Sequence, residues 1–284
     1  DHVVQQWIEF LLQDEGPWAI SIALDLHHFY YIQKKFPKLP EELTLKLLVH
    51  NHLFSPREKA SRDQMDEHHW TEIGQRFIQD YPARALEIGK KILEHFHEDG
   101  SILDRIKHSA TKNVLNEIVK MYPKEMWNEV KKYLNPKYDS RSFHITRWLR
   151  GGEFFDDDSA GSLPLISSSN LWEWIDEDVE NRASFAAGFV PKILFHDKKK
   201  NCLARELLVR YGDRKDVRNS LMANFSTEGW SGEASLHYTK KKDGLIKFKE
   251  AETNANVKRW IDEYVSSLEA QIKDARIREE RGPF

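Results

Sequence analysis

Three stretches place a carboxylate and an imidazole three residues apart: Asp25-x-x-His28, Asp66-x-x-His69 and Glu94-x-x-His97. On a helix that spacing brings both groups to one face. Helical di-iron proteins use two Glu-x-x-His motifs with two further glutamates for this purpose. Only the third stretch has that form. With 13 His and 46 acidic residues in the chain such pairs also arise by chance, and each sits in a charged run. We therefore read them as paired side chains on solvated helix faces, with no metal ligand and no cofactor assigned. A helical metal-dependent enzyme using His and carboxylate ligands is the alternative.

Other chemistry finds little support. The sequence contains no G-x-x-x-x-G-K-[ST] or G-x-G-x-x-G loop to cradle phosphate and no G-x-S-x-G elbow to present a nucleophilic serine. His196-Asp197 lacks the companions of a histidine-aspartate metal hydrolase, and Cys202 in NCLARELLV reads as a buried structural thiol. No catalytic residue is assigned. Two lysine runs, Lys198-Lys199-Lys200 and Lys240-Lys241-Lys242, could contact phosphates. Each is short, and each is expected at a helix end, where cations complement the dipole.

The elements that would have to position any site are helical. Residues 70–96, WTEIGQRFIQDYPARALEIGKKILEHF, read as two helices meeting at Tyr81-Pro82. Trp70, Ile73 and Phe77 line one arm; Ala85, Ile88, Ile92 and Phe96 line the other. Proline opens a helix without cost because the first N–H has no partner there, so the junction needs almost no loop. The unit recurs. Ile118, Val119, Tyr122, Pro123, Met126, Val130 and Leu134 match Phe77, Ile78, Tyr81, Pro82, Ala85, Gly89 and Leu93 at a constant shift of 41. A period of about 40 is that of two-helix repeats.

Upstream, Val3, Val4, Trp7, Phe10 and Leu11 have helical spacing, with Trp7 expected in the core, and Gly16-Pro17 leads to a second helix carrying Ile20, Ile22 and Leu24. Pro37 and Pro40 break and restart the chain. Residues 151–169, GGEFFDDDSAGSLPLISSS, are the one long Gly, Ser, Asp and Pro-rich stretch and read as a loop or linker. Phe154 and Phe155 beside Asp156, Asp157 and Asp158 make it a candidate partner-binding loop, with the acids steering and the rings anchoring. Beyond it shorter helices follow, with Gly212-Asp213 as a stop and restart, and Asn254 and Asn256 precede a last helix whose apolar face holds Val257, Trp260 or Ile261, Tyr264, Leu268 and Ile272.

Totals agree with this. Thirteen glycines and ten prolines in 284 residues are below the usual combined share of roughly 12 % and disfavour a turn-rich β protein. A net charge of -3, from 43 basic and 46 acidic residues, leaves no overall basic footprint for nucleic acid. One cysteine excludes an internal disulfide and a Cys-based zinc site. No apolar run approaches the ~18 residues of a membrane span and no export signal opens the chain, so a cytoplasmic location is expected. The first residue is Asp1, which suggests a processed product or a piece of a longer polypeptide.

The repeat at 70–134 and the closing WSGEASLHY with NVKRWIDEYVSSLEAQI resemble bacterial HEAT-like helical-repeat regions. That resemblance implies an all-α fold: a right-handed α-solenoid of about seven two-helix repeats with a long C-terminal capping helix. It divides as residues 1–150 and 170–284, both helical repeats, around the 151–169 linker. It implies a non-catalytic scaffold or sensor that binds a protein partner or another domain of a longer chain, as in bacterial defence or signalling proteins, with nucleic acid a weaker alternative and no membrane. It carries over no catalytic residue.

Overall fold

The computed structural model describes residues 2–13, 17–54, 63–94, 108–137, 140–153, 156–194, 202–227 and 231–281. Among them the chain is helical with one small ribbon, in two compact units: residues 1–148 with 165–167, and residues 149–164 with 168–284.

In the first unit α1 (His2–Leu11) packs on α2 (Pro17–His27), which runs into a π turn over His28–Gln33; α3 (Glu41–Leu48) follows. Next come α4 (Asp63–Asp80), a 3-10 turn over Pro82–Arg84, α5 (Ala85–Glu94), α6 (His108–Met121), α7 (Pro123–Val130) and α8 (Ser140–Arg150). Helix α4 lies against α2, α3 and α6, and α5 lies against α6 and α7. The matched positions behave alike. Ile78 and Val119 are buried, as are Trp70, Ile73, Phe77, Ala85, Ile88, Ile92, Ile118, Met126 and Val130.

The Tyr-Pro junctions are near-copies of each other. Tyr81 (φ -136°, ψ 62°) and Tyr122 (φ -131°, ψ 58°) both precede a proline in the first turn of the next segment. Their N–H groups donate to Phe77 O and Ile118 O at 2.8 and 2.9 Å. Each hydroxyl donates to a carbonyl of the preceding junction: Tyr81 to Leu39 and Tyr122 to Pro82, the latter at 2.9 Å. Leu39 N–H donates to Asp80, and Arg76 donates to the carbonyls of Phe36 and Pro37. Leu39-Pro40 is thus a third junction in the series, 42 residues before Tyr81-Pro82.

One apolar face is assigned differently by the structure. On α1 the buried residue is Ile8, while Val3, Trp7 and Phe10 are exposed; Ile22 on α2 is exposed too. Spacing identifies an apolar face but not what covers it, so Trp7 is not a core residue.

In the second unit the expected linker is structured in part. β1 (Gly151–Glu153) pairs antiparallel with β2 (Asp156–Ala160) in the register Gly151↔Ala160 and Glu153↔Asp156, so the helical fold does carry a two-stranded ribbon. After it Ser162 and Leu163 are buried. These are packed residues, not a free loop.

Then α9 (Ser168–Asp176), α10 (Val179–Ala187), α11 (Leu203–Tyr211), α12 (Lys215–Ser226), α13 (Ala234–Ala251) and α14 (Ala255–Glu280) follow. Gly212 ends α11, and a Cβ there would lie 2.3 Å from Leu208 O and 2.9 Å from Asn256 Cβ. The close approach of two helix ends requires glycine. Asn254 caps α14 by accepting from the N–H groups of Asn256 and Val257. Val257, Trp260, Ile261, Tyr264, Leu268 and Ile272 form the buried face of α14, which packs on α13 and α11. Cys202 is half-buried just before α11 and not in its core.

Candidate functional site

Two of the three acid-histidine stretches meet. The π turn after α2 and the N-terminal half of α4 bring His27, His28, His68, His69, Asp25, Asp66 and Glu72 to one region of the first unit. Three of the contacts run between helices, and one, His68 with Glu72, runs along α4. His69 Nδ1 is 2.8 Å from Asp25 Oδ1, and Ser21 Oγ donates to Asp66 Oδ2 at 2.7 Å. His28 Nε2 is 2.5 Å from Glu72 Oε2, and His68 Nε2 is 3.6 Å from Glu72 Oε1. The i,i+3 pairing expected from spacing therefore gives way to a shared cluster. Of the third stretch, Glu94 is exposed and His97 lies outside the described residues.

Adjacent residues on a helix diverge by about 100°, which lets His27 and His28 serve different neighbours. His27 Nε2 is 2.8 Å from Thr44 Oγ1 on α3. Its ring lies 4.8 Å from that of Tyr31. Burial, and secondarily His28, lower its pKa to about 3, so it is neutral near pH 7. His28 faces α4 and stacks on His69 with ring centroids 4.0 Å apart and planes at 19°. Burial, then His28, hold His69 below the usual imidazole value, against the pull of Asp25. The hydrogen bond from His28 is the first cause lowering Glu72, with burial opposing it. His28 and His69 are buried, whereas the side chains of His68 and Glu72 are 58 % and 40 % exposed, so the cluster opens to solvent on one side.

A second feature of the first unit is apolar. Val3, Trp7 and Phe10 on α1, Trp18 and Ile22 on α2, and Phe29 in the π turn are six of the fourteen exposed large hydrophobic side chains among the described residues. Trp7 and Phe10 pack edge to face at 6.3 Å.

In the second unit a cleft of about 330 Å³ is lined by Trp172, Glu173, Asp176, Glu206 and Arg210, with Ser168 and Ser169 at its edge. The Trp172 indole donates to Glu206 at 3.1 Å, Arg210 lies over that indole at 5.2 Å, and Tyr211 donates to Asp176 at 2.7 Å. Its polar groups are largely satisfied by one another.

The other expected site residues fall as follows. Phe154, Phe155, Lys198, Lys199 and Lys200 lie outside the described residues, and Asp156, Asp157 and Asp158 belong to β2. Lys240, Lys241 and Lys242 sit inside α13, not at a helix end. Lys241 donates to Phe225 O and lies over the Tyr264 ring, and Lys242 pairs with Glu269 at 3.6 Å. Two of these three cations are thus engaged within their own unit.

The histidine cluster could have been anticipated by noting that Asp25-x-x-His28 and Asp66-x-x-His69 lie 41 residues apart, the same shift as the repeat. Comparisons with protein-family models, with curated proteins and with solved structures return no match. No described helix is long and apolar enough to cross a membrane.

Proposed function

We propose that the chain is a non-catalytic stack of HEAT-like two-helix repeats, an α-solenoid, that recognises a protein partner. The near-identical junctions at Tyr81-Pro82 and Tyr122-Pro123, with Leu39-Pro40 before them, support the repeat reading. The observation that carries the function is the exposed face of Val3, Trp7, Phe10, Trp18, Ile22 and Phe29. Large exposed apolar side chains concentrated on α1, α2 and the π turn favour an interaction site, and tryptophan is enriched among the residues that dominate binding energy. Neither α1 nor α2 contains a lysine or arginine. A phosphate backbone needs cations, so this face suits an apolar protein surface such as the side of a helix. A scaffold or sensor role in a defence or signalling assembly is consistent with it.

Replacing Trp7, Phe10 and Trp18 by Ser tests this. The wild-type chain should retain a saturable protein partner, or a second copy of itself, that the triple variant loses, while a Lys240→Glu/Lys242→Glu variant still binds. Because the rings are exposed, stability should change by no more than about 0.5 kcal/mol per site. Equal retention by the triple variant, or retention that depends on the lysines and on added nucleic acid, would overturn the assignment.

A further inference from the structure

We propose that His28, His68 and Glu72 bind a divalent transition-metal ion of the zinc class. Their candidate ligand atoms, two imidazole nitrogens and a carboxylate oxygen, all lie within 4.8 Å of one another. Donors held tetrahedrally at zinc distances are about 3.4 Å apart. The His68–Glu72 separation of 3.6 Å already meets that, and the 2.5 Å His28–Glu72 contact has to open by about 1 Å. His68 and Glu72 are one helical turn apart on α4 and more than a third exposed, so they have room to make that adjustment. Two imidazoles with one carboxylate favour zinc, nickel, copper or iron over magnesium or calcium, which prefer all-oxygen sites.

Two further observations point the same way. His28 is the first residue of a six-residue π turn, a distortion that frequently marks functional sites. His28 in that turn meets Glu72 on α4 while His27, the residue before it, meets Thr44. The His28 ring is held from behind by stacking on His69, itself fixed by Asp25. Such support sets the ligand's orientation before the ion arrives. Binding uses the Nε2 lone pair of His28, with the ring's one proton carried on Nδ1. The exposed sides of His68 and Glu72 leave the remaining coordination positions to water. The ion would tie the π turn to α4 and thereby steady the segment that carries Phe29.

The test is titration of the chelator-treated full chain with Zn2+ alone, followed by calorimetry, and with Co2+ alone, followed by its visible d–d absorption. One ion per chain is expected. His68→Ala and Glu72→Gln should each weaken binding by about tenfold or more, and Asp25→Asn, acting through His69, by about tenfold. His237→Ala, in the other unit, should leave it unchanged. Zinc should slow amide exchange in 20–34 and 63–72 in the wild type and not in His68→Ala. His68 is more than half exposed, so its replacement keeps the test valid even if a His28→Gln chain fails to fold. No saturable binding by the wild type, or equal binding by the His68→Ala/Glu72→Gln chain, would overturn the proposal.

Discussion

The first unit joins its helix junctions by tyrosine-to-carbonyl bonds beside the ion pairs of Arg84 with Glu41 and Glu42, whereas in the second unit ion pairs tie α13 and α14 to the earlier helices α11 and α12. In the first, Tyr81, Tyr122 and Arg76 all donate to main-chain oxygens of an earlier junction. In the second, Arg205 makes a two-point contact with Glu252 at 2.7 and 2.9 Å, and Arg218 reaches Glu263 at 2.8 Å. Glu252 also accepts from the N–H groups of Thr253 and Asn254, so it organises the turn between α13 and α14. A carbonyl is present at every residue, so each Tyr-Pro dipeptide finds an acceptor in the preceding junction, Leu39 for Tyr81 and Pro82 for Tyr122. A salt bridge needs two particular residues, and the second unit uses a different pair at each place. The difference teaches that a contact accepting any carbonyl can recur from junction to junction, whereas each ion pair, Arg84 with Glu41 in the first unit as much as Arg205 with Glu252 in the second, is particular to its place.

The comparison can be broken most severely in the core. Ile78→Asp and Val119→Asp bury an unpaired charge at equivalent places, and each should cost roughly 4 kcal/mol or more. Peptide-resolved hydrogen exchange on the full chain should show the loss in the first unit. An unchanged melting temperature would show that the two positions are not equivalent.

Acid should act on the second unit through Glu252. Arg205, then the backbone N–H groups, depress its pKa from 4.5 to about 2, against burial. A depressed carboxylate stabilises the fold above its unfolded pKa, so this contribution is complete above about 4.5 and is lost as pH falls toward 2. Arg205→Met removes the largest partner and should cost about 1–2 kcal/mol near neutral pH, discounted because the guanidinium is 38 % exposed. It should shift the acid transition of the second unit to higher pH and leave the first unit's exchange unchanged. A transition that does not move would remove the ion pair from the account.

The smallest effect sharpens the comparison most. Tyr122→Phe deletes one hydroxyl-to-carbonyl bond between junctions and should cost about 0.5–1 kcal/mol by chemical denaturation, with faster exchange near Pro82. No change would mean that proline geometry alone sets the junction.

Much of this was legible beforehand, for a physical reason in each case. The buried face of α14 followed from spacing because a long helix with one covered side keeps a strict period. Helix α13 has no such face to read, because its apolar residues do not align: Leu245 is buried while Leu236 and Ile246 are exposed. The packing of α10 on α12 gives no plain apolar stripe in the sequence, because α10 buries the small residues Ala183, Ala186 and Ala187 and α12 buries Asn224, which donates to Ala187 O and Val190 O.

What the sequence determined by itself is local: helical segments with apolar faces, proline-opened junctions, the 41-residue period and the capped final helix, all fixed by interactions within a few residues or by a motif that repeats. What only the tertiary structure decided is which groups from separate helices meet. The pairing of His28 with Glu72 and of His69 with Asp25, and the exposure of Trp7, depend on how α1, α2 and α4 pack. A sequence records a side chain's own helix face; the neighbour that face meets is chosen by the packing of the whole unit.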